Sequence, residues 1–131
     1  MTSNALSLLG LALRGNNLAV GEEPVKEACK ARRAWLVMSA DDAAENSIDR
    51  AGRMAELGGV SWVRLPWGKE ALGEALGRST CAMAALTDRG LAGAFAEKLV
   101  QADESLRFTL EPLLNEKKNA RAVKKPAVPE T

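Results

Sequence analysis

Four short apolar runs set the strongest limit on what this chain can become: "LAV" (18–20), "WLVMS" (35–39), "VSWVRL" (60–65) and "TCAMAAL" (80–86). Stretches with apolar residues at helical spacing separate and flank them, giving the order α-β-α-β-α-β-α-β-α with short connections. A strand of three to seven residues cannot bury itself. Strands and helices in this alternation predict a three-layer α/β/α sandwich around a four-stranded mixed sheet, with the run at 80–86 as a central strand.

The helices carry their own signals. Ser3 is placed to cap a first helix bearing Leu6, Leu9 and Leu13, which Gly15 would stop. A second helix is expected over 22–33, with Val25, Ala28 and Cys29 inward and Lys26, Lys30 and Arg33 outward along one stripe. Asp42 followed by Glu45 resembles a capping box for a third helix with Ile48, Ala51, Gly52 and Ala55 inward, ended by "LGG" at 57–59. "KEALGEALG" turns Leu72 and Leu76 inward, and Asp88 can cap a fifth helix carrying Leu91, Phe95 and Leu99.

At 131 residues one core is expected, so residues 1–103 read as a single domain. Leu106, Leu110, Leu113 and Leu114 suggest an extra helix over 104–115, disturbed by Pro112. Beyond it, 116–131 is rich in Lys, Ala and Pro and reads as a disordered basic tail. Charge follows the same division: residues 1–115 hold 13 basic against 15 acidic residues, a net −2, while 116–131 hold five against two, a net +3. Such a tail suits a weak contact with an acidic partner.

Several function classes are disfavoured. No apolar run approaches the roughly 20 residues of a membrane span, and the N-terminal stretch lacks the features of a signal peptide, so a cytoplasmic location without membrane association is expected. Cys29 and Cys81 stand apart, without C-x-x-C spacing, and read as small buried hydrophobes. The chain has no histidine, which removes the commonest general base and zinc ligand. Neither of the phosphate-binding patterns G-x-x-x-x-G-K-[ST] and G-x-G-x-x-G is present, and Ser and Thr stand in no nucleophile elbow. A protein without catalytic activity, metal or cofactor is expected.

What remains fits a binding module. Gly21 opens a helix whose free backbone N–H groups would face a ligand, Glu22 and Glu23 follow in the first turn, and Pro24 falls where a missing N–H costs nothing. Helix initiation alone accounts for these residues, because carboxylates there complement the macrodipole and Glu22 can pair with Lys26. The stripe Lys26, Lys30 and Arg33 and the turn Arg78, Ser79 and Thr80 before the central strand complete the candidate set. Trp35 and Trp62 read as packing residues, and Trp67 after Pro66 as the tryptophan available to stack on a base.

The ordered combination of "LGLALRGNN", "VGEEPV", "LVMSADDAAEN", "KEALGEALGRSTCAMAAL" and "LTDRG" resembles the ribosomal protein L-seven-Ae/L-thirty-e superfamily, most nearly its small bacterial YlxQ-type members, over about residues 5–100. The resemblance implies a four-stranded α/β/α fold and binding of structured RNA, notably kink-turns, through the start of the second helix and the loop before the last strand. By position Gly21 keeps the family's glycine, Glu23 replaces its asparagine, Pro24 its glutamate and Glu27 its lysine; Arg78, Ser79 and Thr80 occupy the contacting loop. An asparagine amide donates and accepts, whereas an ionised glutamate only accepts and repels phosphate.

Two functions follow as expectations. One is an RNA-binding protein, ribosome- or structured-RNA-associated, using Gly21, Glu22, Glu23, Lys26, Lys30, Arg33, Arg78, Ser79 and Thr80. The other is a protein-interaction module that kept the fold, lost RNA recognition and docks a protein partner through 104–115.

Overall fold

A computed structural model describes residues 3–122. In chain order the elements are α1 (Ser3–Arg14), β1 (Leu18–Val20), α2 (Glu22–Lys30), β2 (Leu36–Ser39), α3 (Glu45–Gly58), β3 (Ser61–Arg64), α4 (Lys69–Ala75), β4 (Met83–Leu86), α5 (Arg89–Ala102) and α6 (Arg107–Ala122), with a 3₁₀ turn at Glu104–Leu106 before α6. The sheet order is β1-β4-β2-β3. β4 pairs antiparallel with β1 and β2, and β2 runs parallel to β3. The sheet is therefore mixed, and β4 is central as its unbroken apolar run predicted.

Two cores fill the two faces. Alternation along the strands sends Leu36, Met38, Val63, Ala84 and Leu86 toward α1, α4, α5 and α6, where Leu9, Leu72, Phe95 and Leu99 meet them. On the opposite face Val37, Met83 and Ala85 pack against Val25, Ala28 and Cys29 of α2 and Ala51, Met54 and Ala55 of α3. This is the expected three-layer sandwich. Ser39, the buried polar residue of β2, accepts a 2.9 Å hydrogen bond from Trp62 Nε1, which satisfies both groups.

The caps divide into those that formed as expected and those that did not. Asp88 Oδ2 accepts from the Leu91 N–H at 2.9 Å and starts α5, and Gly59 ends α3 in the left-handed conformation. Ser3 is the first residue of α1 rather than the residue before it. The capping box at Asp42 is absent: α3 begins at Glu45, its cap residue is Ala44, and no side chain serves it. Asp42 Oδ1 instead accepts the Lys69 N–H of α4 at 2.8 Å. The cause is tertiary, since backbone bonds from Asp41 N–H to the Trp67 carbonyl and from Leu65 N–H to the Ser39 carbonyl draw the two loops together.

Two boundaries also move. α2 ends at Lys30, because Arg32 takes a left-handed φ of 60° and the chain turns into β2, so Arg33 leaves the helical stripe. α6 runs through Pro112 to Ala122, past residue 116 where a tail was expected to begin; residues 123–131 lie outside the described residues. Pro112 cannot donate to the Phe108 carbonyl, but both residues are exposed and water can take that acceptor. Leu110 and Leu113, meanwhile, sit in the core with Leu106 and Leu114 packed against it, while Phe108 of the same segment is exposed. No helix among the described residues is long and apolar enough to cross a membrane.

Candidate nucleic-acid interface

Strand β1 lies at one edge of the sheet and leads directly into α2. The turn between them is Gly21, with φ 97° and ψ 165°, a conformation essentially closed to residues bearing a Cβ. Its N–H donates to the Met83 carbonyl at 3.0 Å, and its carbonyl accepts from Val25 N–H at 3.1 Å. The glycine thus ties the helix start to the central strand. Gly21→Ala is expected to cost at least ~1 kcal/mol in denaturant unfolding, and unchanged stability would refute that account.

The helix start offers fewer amides than its sequence suggests. Gly21 N–H is used, Pro24 has none, and only the N–H groups of Glu22 and Glu23 remain without a partner among the described residues. Glu22 does not pair with Lys26; its carboxylate meets Arg50 Nε of α3 at 2.8 Å, with both side chains almost half exposed. Such a pair contributes ~0–1 kcal/mol, but it removes one negative charge from the face that a phosphate would approach. Glu23, Lys26 and Lys30 are exposed on α2.

The second half of the site comes from the loop after α4. Gly73 packs so closely on Thr80 that a Cβ there would lie 2.6 Å from Thr80 Cα. Together with the bond from Arg78 N–H to the Gly73 carbonyl at 2.8 Å, this contact fixes where Arg78, Ser79 and Thr80 are presented, all three exposed. Cys81 follows, buried, its thiol pushed up by burial while nearby Arg78 pulls the other way; Cys29 is likewise buried and raised. Neither is a reactive thiolate.

A groove of about 350 Å³ joins the two halves. Pro24 and Glu27 of α2, Leu13 at the end of α1, Asn16 in the turn after it, the whole of β1, and Arg33, Arg78 and Thr87 line it. Of the residues expected at the site, Arg33 and Arg78 are therefore brought together, although they are 45 positions apart in the sequence. Arg33 gets there because it has left α2. Lys26 and Lys30 lie outside the groove lining, on the exposed surface of α2. Leu18, Val20, Asn16 and Thr87 carried no sequence signal for a site; the pairing of β1 with β4 places Leu18, Val20 and Thr87 there, and the turn after α1 places Asn16. Trp67 is half-buried and packs on the larger core rather than standing free for a base. No group of three or more acidic or cysteine side chains suited to a metal ion occurs among the described residues.

The fold is shared with solved structures. The chain is similar to a protein of unknown function from Bacillus halodurans, at 27% identity and a TM-score of 0.66, covering 72% of this chain and 95% of that one. It is also similar to the 15.5kD RNA-binding protein of Giardia lamblia, at 24% identity and a TM-score of 0.59, over 79% of this chain and 88% of that one. No family model matches the chain, and no curated protein matches it.

Proposed function

We propose that this protein is a non-catalytic RNA-binding protein that grips structured RNA through the α2 entrance, the loop 78–80 and the groove between them. The observation that carries the reading is the convergence of Arg33 and Arg78 on one groove beside the helix entrance. Guanidinium groups hold phosphate bidentately, and Lys26 and Lys30 add exposed cations on the adjoining helix face. The fold shared with the Giardia protein, which is named for RNA binding, supports the same reading.

Recognition would differ from the kink-turn grip of the resembling superfamily. With Glu23, Pro24 and Glu27 in place of amide, carboxylate and ammonium, phosphate attraction moves from the helix start to the arginines on either side of it. Kink-turns are then one candidate among structured RNAs, the ribosomal ones included. The competing protein-docking reading has less apolar surface to draw on, because Leu110 and Leu113 are buried in the protein's own core and Phe108 is left as the exposed large apolar residue of 104–115.

Binding to a mixture of ribosomal and transfer RNA, followed by mobility shift between about 50 and 200 mM salt, tests the proposal. Affinity should fall steeply with salt. Arg78→Ala and Lys26→Ala should each reduce the log–log slope by about 0.7–0.9 while weakening all RNAs alike. No binding at the lower salt would sink the proposal.

A further inference from the structure

The groove holds a feature that phosphate binding does not use. Gly21 N–H bonds to the Met83 carbonyl and Thr87 N–H to the Asn17 carbonyl, in the same register that sets Ala19 opposite Ala85. Hydrogen-bonded pairs alternate in an antiparallel ladder, so Ala19 spends its backbone groups on β4 while Leu18 and Val20 turn theirs outward. The other side of β4 agrees: Ala40 N–H bonds to the Ala82 carbonyl, so Ala84 and Leu86 face β2. Among the described residues nothing pairs with the outward N–H and C=O groups of Leu18 and Val20.

An added strand is a poor occupant for this edge. β1 has three residues, two of them outward, and turns with positive φ close it at Asn16 and Gly21. Strand addition draws its affinity from a longer run of main-chain bonds. The volume, near the lower end of the roughly 300–1,000 Å³ usual for ligand sites, suits a single small planar group. Cations at the rim call for an anion on each side of that group. Arg33 enters two residues before Trp35, whose N–H bonds to the Leu86 carbonyl at the end of β4, and Arg78 enters from the strand's beginning.

Resting on the RNA-binding reading, we infer that the groove along β1 seats one unpaired nucleotide, with guanine as the favoured base. Arg33 and Arg78 hold the phosphates on either side of it. The outward backbone of Leu18 and Val20 and the Glu27 carboxylate meet the base edge. Glu27 decides the preference because a carboxylate only accepts. Guanine alone among the four bases offers it two adjacent donors, N1–H and the 2-amino group. Adenine and cytosine offer one amino group beside a ring acceptor, and uracil sets one N–H between two carbonyls that repel the carboxylate. Unpaired bases are read on this edge.

The test uses the full chain and four fluorescein-labelled RNA hairpins that share one stem and differ in a single bulged nucleotide. At low salt the guanine bulge should bind about 10-fold tighter than the other three. Glu27→Gln should level the four, and Arg33→Ala should weaken all of them equally. Because Glu27 and Arg33 are exposed, unchanged thermal unfolding should accompany both variants. Equal binding of the four hairpins by the wild-type chain, or a guanine preference that survives Glu27→Gln, would overturn the inference and leave RNA binding intact. Failure to bind the hairpins while the ribosomal and transfer RNA mixture still binds would do the same. Failure to bind either would overturn both.

Discussion

Leu110→Ala is expected to destabilise the protein by about 3 kcal/mol, whereas Phe108→Ala, two residues earlier in the same helix, should stay within ~0.5 kcal/mol. Leu110 is 0% exposed and lies in the core that α1, α4 and α5 build against the sheet; Phe108 is 86% exposed. Truncation at 110 removes buried methyl groups and leaves a cavity that the surrounding helices relax into only partly. At 108 there is little burial to lose. The pair distinguishes a helix that belongs to the domain from one appended as a docking arm. Chemical denaturation of both variants decides it, and similar small losses at the two sites would mean that α6 is appended.

Gly73→Ala is the second large effect, and its sign is the informative part. Helix propensity alone favours alanine by about 1 kcal/mol. The site opposes it, because the new Cβ would stand 2.6, 2.7 and 2.8 Å from Thr80 Cα, N and C, all backbone atoms that no rotamer change can move aside. Either α4 or the loop after it has to shift, at an overpacking cost of roughly 3 kcal/mol. A net loss of about 2 kcal/mol is expected. If the protein binds RNA as proposed, affinity should fall further than the stability loss alone explains, since Arg78 is positioned by the same contact through its N–H bond to the Gly73 carbonyl. A stabilised Gly73→Ala protein with wild-type RNA affinity would contradict this account of the loop.

Much of the fold was legible because it rests on local rules. The four strands were readable from their apolar runs, β4 being central because its run is unbroken, and Asp88 and Gly59 were readable as a cap and a stop. Local rules failed where a distant segment competed. Asp42 had the spacing of a capping box, yet it serves α4 because the parallel pairing of β2 with β3 brings Lys69 within reach. Glu22 had Lys26 four residues away, yet Arg50 of α3 claims it. Pro112 marked a disturbance, but burial of Leu110 and Leu113 on the opposite side holds the helix through it.

The candidate site divides in the same way. Gly21, the glutamates after it and the arginine-bearing turn at 78–80 could be found by inspection, because each is a local cluster with an unusual charge or shape. The groove could not. It exists because β1 falls at the edge of the sheet, because Arg33 leaves α2 after a left-handed Arg32, and because Gly73 seats the loop that carries Arg78.

By itself, then, the sequence determined the layers, the strands and the glycine turn into α2, since apolar period and backbone sterics act over a few residues. Which charges face one another, and which backbone groups stay unpaired, only the tertiary structure decided. Strand order and helix packing set distances between residues far apart in the chain, and electrostatic and hydrogen-bonding partners are chosen by those distances.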